Sequence, residues 1–385
     1  MSDEQTRLIG NAVETVPPDG VAEKLKLGRP LRVKLGVDPT APDIHLGHTV
    51  VLQKLRQFQD AGHLAVLIIG DWTARVGDPS GRSSTRPMLS AEEIDANAQT
   101  YREQAFKILD PERVEVRPNG EWFAQMGLAP LFRLAATTTV NQLLRREDFA
   151  NRMTEQRPIS VLELLYPLMQ AYDSVAVEAD IELGGTDQLF NLMLGREVQQ
   201  AYGLAPQVAL TMPILPGTDG VARMSKSSGN YIGVNEPAEE QFGKIMSIPD
   251  EALGTYYGLL FPDEPGPSES AVQDKRRLGR LVADRFHGPG AGDEAEAYFN
   301  RVTRDREAPQ DVPVVIIPSG PVHLPALLAE HLGIASRGEA RRLIGQGGVT
   351  IDGERIVDLD VDAQALADKV VRAGKRRFAR IEVAG

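Results

Sequence analysis

Residues 31–70, "LRVKLGVDPTAPDIHLGHTVVLQKLRQFQDAGHLAVLIIG", hold two apolar runs on either side of a periodic segment. The runs "LRVKLGV" and "LAVLIIG" are rich in β-branched residues and are typical of buried strands. Between them Leu52, Leu55 and Phe58 recur at helical spacing, and Gly62 follows them. This pattern predicts a strand, a helix and a second strand, with the strands pairing in parallel through a right-handed crossover.

The alternation of strands and helices continues downstream. Further strands are predicted at "RVEVR" (113–117), "VAVEADIEL" (175–183) and "QVAL" (207–210). The pattern therefore predicts an α/β fold with a doubly wound, Rossmann-like parallel sheet, and ligands of such a sheet bind at the carboxyl ends of its strands.

Three domains are expected along the chain. Residues 1–211 form the Rossmann-like domain, and residues 212–318 are mostly helical, broken by "PDEPGPSES" and "HGPGAGD". The stretch "REAPQDVPVVIIPSGP" (306–321) has the composition of a linker. Residues 319–385 contain leucines at helical spacing, an arginine-rich helix and a Gly-Gly turn into a strand, which predicts a small α+β domain.

Composition limits the class of protein. The chain has 385 residues, of which 42% are hydrophobic and 25% charged, and it contains no run of about 20 apolar residues that could cross a bilayer. No membrane partner is therefore expected. Its start, "MSDEQTRLIG", lacks the pattern of a signal peptide. The absence of cysteine excludes disulfides and thiolate metal sites, so we expect a cytoplasmic protein.

Charge is unevenly distributed along the sequence. The formal net charge is −12, yet residues 320–385 carry ten Lys/Arg against nine Asp/Glu. Within that tail, "KVVRAGKRRFAR" (369–380) has six basic residues and no acid. A basic patch on an acidic protein indicates a directed contact with a polyanion. A solvated charged face is the alternative for this patch taken alone.

Two histidines, His45 and His48, lie three residues apart where the first long helix should begin. No Glu-assisted zinc motif or third ligand accompanies them, so no structural metal is expected. Capping of the helix would not need the glycine between them. A nucleotide site explains Gly47 as room for a flat base or ribose, with phosphates at the helix start.

A second candidate segment, "GVARMSKSSGN" (220–230), is rich in glycine and serine and carries Arg223 and Lys226. Such a loop can close over a triphosphate and neutralise the leaving pyrophosphate. Together, "HLGH" and "MSKS" on a doubly wound domain resemble the two signatures of class I aminoacyl-tRNA synthetases.

Further motifs narrow the resemblance. The segments "GVDPTAPDIHLGH", "VGDPSGR" (76–82), "YPLMQAYD" (166–173) and "GGTDQLFN" (184–191) resemble the successive signatures of bacterial tyrosyl-tRNA synthetases. The tail resembles the S-four-like RNA-binding domain of those enzymes. The resemblance implies activation of L-tyrosine by ATP with Mg²⁺ to tyrosyl-adenylate and pyrophosphate. Tyrosine is then transferred to the terminal ribose of tRNA(Tyr), by a homodimer built around an insertion at about 118–160.

Helix geometry bears on the amino-acid pocket separately. Tyr166, Gln170 and Asp173 have the spacing i, i+4, i+7 and share one helical face. Without the resemblance, this polar stripe is equally well explained as the solvated side of an amphipathic helix. With it, Tyr166, Gln170 and Asp78 hold the substrate's ammonium, and Asp173 accepts the phenolic hydroxyl.

The resemblance assigns the remaining roles residue by residue. ATP contacts are implied for Thr40, His45, Gly47, His48, Asp187, Lys226 and Ser227. The catalytic phosphate contacts are His45, His48, Lys226 and Arg223, with Arg82 and Arg86 reaching from another loop. Tyrosine contacts are Lys34, Gly36, Asp38, Asp78, Tyr166, Gln170, Asp173 and Gln188. RNA contacts are implied for Arg337, Arg341, Arg342, Lys375, Arg376 and Arg377.

One position departs from the family. Many members have a tyrosine two residues before the first-motif glycine, where it shares recognition of the substrate hydroxyl, and here that position is Lys34. Lys34 either donates to the phenol oxygen or points elsewhere, and both alternatives stay open at this point. Other functions compatible with parts of the pattern are a tryptophanyl-tRNA synthetase, a small-molecule nucleotidyltransferase and an RNA-binding protein with a synthetase-like fold.

Overall fold

The computed structural model describes residues 3–40, 43–77, 90–226, 228–303, 312–374 and 377–384. The chain divides into two compact units, Met1–Leu278 and Gly279–Gly385. Each unit is built around its own sheet. In the part of the chain that the structure describes, no helix is long and apolar enough to span a bilayer.

The first unit contains a six-stranded sheet in the order β1-β6-β5-β2-β3-β4. Its strands are β1 (Glu14–Val16), β2 (Arg32–Val37), β3 (Leu64–Ile69), β4 (Val114–Pro118), β5 (Ile181–Gly185) and β6 (Val208–Met212). All neighbours pair in parallel except β1, which lies antiparallel to β6. The chain runs outward from β2 through β3 and β4, then returns to β5 on the other side of β2. The predicted doubly wound sheet is confirmed, and its topological switch point lies between β2 and β5.

Helices α1 to α14 of this unit lie between and after the strands. They are α1 (Asp3–Ile9), α2 (Gly20–Leu25), α3 (Leu46–Asp60), α4 (Thr73–Val76), α5 (Ala91–Ala105), α6 (Gly120–Phe123), α7 (Leu128–Ala135), α8 (Val140–Leu143), α9 (Glu147–Thr154), α10 (Val161–Ala176), α11 (Leu189–Ala201), α12 (Ala238–Ser247), α13 (Leu253–Leu260) and α14 (Ala271–His287). The last of these runs across the division between the two units. Helix α3 is the predicted crossover, and its Leu52, Leu55 and Phe58 are buried.

One predicted strand is shorter than expected. The apolar run 175–183 was expected to be extended throughout, but α10 continues to Ala176 and β5 begins only at Ile181. Val177 and Ala179 in the connecting turn are buried against Val66 and Ile68. Burial therefore gives this turn the same apolar composition as a strand. The short strand β1 was not predicted.

The second unit is an α+β structure with its own core. It contains α15 (Ala291–Thr303), β7 (Val314–Ile317), β8 (Pro321–His323), α16 (Leu324–His331), α17 (Arg337–Gly345), β9 (Val349–Ile351), β10 (Glu354–Arg355), β11 (Asp360–Asp362), α18 (Ala363–Leu366), β12 (Val370–Ala373) and β13 (Arg377–Val383). The main sheet has the order β10-β9-β12-β13-β7, and β8 pairs with β11. Leu328, Ile344 and Ile381 are fully buried in its core.

Strand β7 lies in the stretch that was expected to be a linker. It pairs in parallel with β13, from Val314 opposite Arg380 to Ile317 opposite Val383. Val315 and Ile317 face the core, so the alternation in "VVII" belongs to an edge strand of the C-terminal sheet. The division at residues 211 and 318 stays a prediction.

Candidate active site

The candidate site lies at the carboxyl ends of β2 and β5, beside the topological switch point. After β2 the chain passes Asp38 and Thr40 and reaches His45, the N-cap of α3. After β5 it forms the turn Thr186–Gln188 and enters α11. The sheet order therefore brings the first motif and the "GGTDQ" motif to the same edge.

The two histidines cap α3, contrary to the expectation that capping would not account for them. The backbone N–H of Gly47 donates to His45 Nδ1 at 3.2 Å, and the N–H of His45 donates to His48 Nδ1 at 3.2 Å. The two rings lie 3.9 Å apart, centroid to centroid. A Cβ on Gly47 would lie 3.0 Å from the His45 ring. In this structure Gly47 therefore makes room for the capping histidine.

Both histidines are neutral at pH 7. Burial lowers the pKa of His48 to about 4 and that of His45 to about 2, and the positive charges of Lys226 and Arg223 add to the effect. Because each Nδ1 accepts from a backbone N–H, the neutral ring carries its proton on Nε2. Each histidine thus keeps one N–H donor for an anionic ligand.

The chain just after the second candidate segment (220–230) pairs with the start of α3. Leu46 N donates to Ile232 O at 2.9 Å, and Val234 N donates to Ile44 O at 3.0 Å. At the base of the loop, the buried Asn230 side chain accepts from Ser225 N at 2.8 Å. This hydrogen bonding brings two motifs about 180 residues apart in sequence into contact.

Both cations of the loop are paired with carboxylates. Lys226 Nζ lies 2.8 Å from Asp43 Oδ2, and Arg223 Nη1 lies 3.0 Å from Asp187 Oδ2. All four side chains are partly exposed to solvent. Asp187, predicted as an ATP contact, therefore holds a loop cation here.

The polar face of α10 points into the sheet edge. Tyr166 OH donates to Asp38 Oδ2 at 2.8 Å, and Thr73 Oγ1 donates to Asp38 Oδ1 at 2.7 Å. Tyr166, Gln170 and Asp173 are all buried, so this stripe is not the solvated side of the helix. The structure brings Asp38 into contact with Tyr166, the first residue of the predicted helical face.

Asp173 lies at the deep end of this face. Its carboxylate accepts from Trp122 Nε1 at 3.0 Å and from Asn119 Nδ2 at 3.3 Å. Burial raises the pKa of Asp173 to about 7, although the charge of Lys34 and the two N–H donors act in the opposite direction. The carboxylate is thus held in a position where a further hydrogen-bond donor would stabilise its ionised form.

Sequence reasoning missed Thr73, Asn119 and Trp122. Asn119 follows β4 directly, and Thr73 lies four residues after β3. Polar residues immediately beyond the carboxyl ends of parallel strands are the signal that could have found the first two. Trp122 carries no comparable signal, because an aromatic residue in a helical insertion usually belongs to the core.

Lys34 does not reach the site as a ligand donor. Its side chain is fully buried, and its Nζ donates to Glu182 Oε1 at 2.8 Å, Ser174 Oγ at 2.8 Å and Gln170 O at 2.9 Å. An ammonium has three N–H donors, so the protein itself uses all of them. Of the two alternatives, the structure favours a lysine that points elsewhere over the expected contact with tyrosine.

Other predicted residues lie around the same edge. Gln188 Oε1 accepts from Gly185 N at 3.1 Å, and Thr40 N donates to Asp38 O at 2.7 Å. A Cβ on Gly36 would find no atom within 4 Å among the described residues, so this position opens onto space. Asp78, Arg82, Arg86 and Ser227, and Lys375 and Arg376 of the tail, lie outside the described residues.

The tail contributes a separate set of cations in the second unit. Arg341 and Arg342 on α17 and Arg377 at the start of β13 are exposed. Arg337 is paired with Glu330 at 2.7 Å. Within the described ranges of both units, no three His, Asp or Glu side chains are grouped so as to hold a metal ion.

The doubly wound sheet, the histidine-capped helix α3 and the basic loop (220–230) beside its start define a class I aminoacyl-tRNA synthetase. Residues 26–296 match the family profile described as tRNA synthetases class I (W and Y). Residues 306–381 match the Tyrosine--tRNA ligase SYY-like C-terminal domain. The tyrosine–tRNA ligase of Moorella thermoacetica is 51% identical over 98% of this chain and 95% of its own length. The chain belongs to the tyrosine–tRNA ligase family, as its motifs predicted.

Three further comparisons agree. The tyrosine–tRNA ligase of Thermotoga maritima is 50% identical over 98% of this chain and 97% of its own length. The structure of tyrosyl-tRNA synthetase complexed with L-tyrosine from Archaeoglobus fulgidus is 26% identical, with a TM-score of 0.57 over 79% of this chain and 97% of that one. The Aeropyrum pernix enzyme, 21% identical with a TM-score of 0.61 over 77% of this chain and 98% of that one, supports the fold.

Proposed function

We propose that this site activates L-tyrosine with ATP to tyrosyl-adenylate and pyrophosphate, and that the enzyme then transfers tyrosine to the terminal ribose of tRNA(Tyr). The observation that carries the proposal is the contact of the α3 start with the basic loop and the chain just after it, through Leu46 and Ile232 and through Asp43 and Lys226. This contact lies beside the buried polar face of α10. Phosphate donors and an amino-acid pocket then adjoin at one sheet edge. Catalysis of adenylate formation needs this positioning and charge stabilisation rather than a protein nucleophile.

The phosphates of ATP are assigned to the start of α3. His45 and His48 donate from Nε2, and Thr40 and Gly47 line the same turn. When ATP binds, Lys226 exchanges Asp43 for the phosphates. Arg223 likewise leaves Asp187, which becomes available to the ribose hydroxyls. The ion pairs with Asp43 and Asp187 thus keep the two cations near the positions where the pyrophosphate develops charge.

Tyrosine is assigned to the α10 face. Its ammonium meets Tyr166 and Gln170, with Asp38 and Gln188 nearby, and its hydroxyl donates to Asp173. Support comes from the burial of this face and from the open space at Gly36. The roles of Asp78, Arg82, Arg86 and Ser227 rest on their motif positions alone.

Magnesium is proposed to enter as the complex with ATP, because Mg²⁺ is bound in such sites through substrate phosphates and few protein groups. The ion belongs to the substrate in this proposal. The chemistry that it supplies is neutralisation of charge on the phosphates.

A homodimer is proposed to form through the insertion at about 118–160. Leu128, Phe132 and Val140 on its helices are 69%, 66% and 58% exposed, a high exposure for large apolar side chains. Phe132→Asp should therefore yield monomers in sedimentation, whereas Val272→Asp, at an exposed apolar position on α14, should leave the dimer intact. Equal behaviour of the two variants would contradict this interface.

The tail is proposed to contact tRNA through Arg337, Arg341, Arg342, Lys375, Arg376 and Arg377. The enzyme is proposed to act in the cytoplasm.

The experiment that tests the whole proposal is ATP–pyrophosphate exchange with each of the twenty amino acids in turn. Tyrosine should support exchange, and the other nineteen, tryptophan and phenylalanine included, should not. Exchange with tryptophan alone would overturn the assignment of the pocket.

A further inference from the structure

A buried ion pair lies beneath α10, away from solvent. Lys34 on β2 and Glu182 on β5 are both fully buried, with Nζ 2.8 Å from Oε1. Removing two charges from water is unfavourable, and apolar residues of similar size often stabilise a core equally well. The pair therefore calls for a role other than stability.

Glu182 collects donors from several elements. Besides Lys34, its oxygens accept from Ser174 Oγ at 3.1 Å, from Gln207 Nε2 and from Gln170 Nε2 at 3.1 Å. A carboxylate can only accept, so the side chain of Gln170 must present its NH₂ group to Glu182. The carbonyl oxygen of Gln170 consequently faces the other way.

The opposite end of Gln170 is oriented by a second charged group. Gln170 Oε1 accepts from Asn191 Nδ2 at 2.8 Å, and Asn191 Oδ1 accepts from Arg146 Nη1 at 3.1 Å. A guanidinium can only donate, so Asn191 must present its NH₂ group to Gln170. A carboxylate at one end and a guanidinium at the other end thus define a single orientation of the Gln170 amide.

We propose that Lys34 and Glu182 are positioning residues that hold the carbonyl oxygen of Gln170 toward the α-ammonium of tyrosine. This inference rests on the proposed contact between Gln170 and the ammonium. In the opposite orientation the amide would present its NH₂ group to a cation, which is repulsive. Lys34, together with Ser174 and Gln207, fixes the carboxylate of Glu182. Glu182 in turn orients the amide of Gln170. Lys34 therefore acts through Glu182 on the ammonium end of the substrate and gives no hydrogen bond to its phenol.

The test compares two inhibitors that differ by the ammonium alone. Tyrosinol carries it, and 3-(4-hydroxyphenyl)propan-1-ol lacks it; inhibition constants are measured in tyrosine-dependent ATP–pyrophosphate exchange. In Lys34→Met, Glu182→Gln and the double variant, tyrosinol should bind about tenfold more weakly, the range expected for one misaligned hydrogen bond to a charged group. Binding of the alcohol without the ammonium should change less than about twofold. The double variant removes both charges, so it tests the proposal even where a single variant does not fold.

A matched control is Lys54→Met on α3. Lys54 is also a buried lysine, with Nζ 2.5 Å from Gly10 O and 2.7 Å from Gln57 Oε1, and it lies outside the site. It should leave the ratio of the two inhibition constants unchanged. Equal weakening of both inhibitors in the double variant would show general structural support and overturn the proposal. If Lys34→Met instead changes the ratio of the inhibition constants of tyrosinol and phenylalaninol, Lys34 reads the hydroxyl, and the proposal is also overturned.

Gln170→Ala separates the inference from its premise. If this variant leaves the ratio of the two inhibition constants unchanged, Gln170 does not bind the ammonium, and that part of the proposed function fails. If Gln170→Ala weakens tyrosinol relative to the alcohol without the ammonium, while the Lys34→Met/Glu182→Gln double variant does not, the contact stands and the positioning role alone is overturned.

Discussion

Asp173 combines deep burial with two N–H donors, and its proposed partner is the hydroxyl that distinguishes tyrosine from phenylalanine. Asp173→Asn preserves the shape but removes the charge that strengthens this hydrogen bond. We expect the ratio of kcat/KM for tyrosine over phenylalanine to fall about 10- to 100-fold, the range for a lost charged hydrogen bond. Pyrophosphate exchange with the two amino acids measures the ratio. An unchanged ratio would place recognition of the hydroxyl elsewhere.

The same carboxylate predicts a pH dependence. Burial raises the pKa of Asp173 to about 7, so the group binds a proton as the pH falls from 8 to 6. Only the ionised form is a full acceptor for the phenol, and kcat/KM for tyrosine should therefore decrease over this interval. Binding of phenylalanine lacks this hydrogen bond and should change less. A tyrosine-to-phenylalanine ratio that is flat between pH 6 and 8 would argue against the raised pKa.

The spacing of Tyr166, Gln170 and Asp173 predicted correctly that they share one helical face, because helical periodicity is a local property. The burial of that face was not predictable from the spacing. The partners of these residues were not predictable in the same way. Glu182 and Asn191 come from β5 and α11, and only the folded sheet brings them beside Gln170. Lys34 illustrates the limit: its position in the family motif left a contact with the substrate open, and only the folded structure shows that its surroundings use all three of its donors.

At the scale of single elements, the start of α3 depends on Gly47. Alanine is normally favourable within a helix, but here its Cβ would lie 3.0 Å from the capping ring of His45. Gly47→Ala should therefore destabilise the protein by about 1 kcal/mol and reduce adenylate formation. Gly243→Ala in α12 is the control, because among the described residues outside its own helical turn no atom lies within 4 Å of the new Cβ, and a gain of about 0.5–1 kcal/mol is expected. Denaturant unfolding distinguishes the two outcomes.

The basic loop carries a second prediction at this scale. Lys226→Ala removes a cation from the proposed pyrophosphate site and should lower the rate of adenylate formation about 100-fold. The KM for tyrosine should change little, because the proposed tyrosine contacts lie on the α10 face, whereas Lys226 is paired with Asp43. Lys244→Ala on α12 is the control. Lys244 Nζ lies 4.8 Å from the centre of the Tyr231 ring and Lys226 Nζ lies 5.8 Å from it, so the control removes a lysine beside the same aromatic ring and should retain near-normal rates. A large rise in the tyrosine KM of the Lys226 variant would assign the loop a different role.

Whole-molecule organisation was only partly accessible from the sequence. The doubly wound sheet followed from apolar runs and their spacing, which are local signals. The edge strand β7 was missed because its two flanking prolines, Pro313 and Pro318, and the polar stretch before it are typical of a linker. Its pairing with β13, more than 60 residues later, supplies the burial that the local sequence does not reveal.

The C-terminal domain matched at residues 306–381 should be needed for only one of the two steps of the reaction. Because β7 belongs to the C-terminal sheet, a deletion of the tail that began at residue 319 would leave β7 behind. The deletion should therefore begin at residue 306, where the second family match starts, and remove residues 306–385. The truncated enzyme should keep tyrosine activation and lose tRNA charging by about 100-fold or more, because it lacks the proposed phosphate contacts. Loss of activation to the same extent would show that the tail supports the active site instead.

Salt dependence distinguishes loss of phosphate contacts from general damage to the tail. In the full chain, a variant with Arg341→Gln, Arg342→Gln and Arg377→Gln keeps the core of the C-terminal unit, since these three side chains are exposed. Each phosphate contact contributes about 0.7–0.9 to the slope of log K against log salt concentration, so the slope should fall by about 2 to 3. Arg56→Gln, half-exposed on α3, removes a charge outside the tail and should leave the slope unchanged. A weaker tRNA affinity with an unchanged slope in the triple variant would mean that these arginines do not contact phosphates, and the basic tail would then be a solvated face.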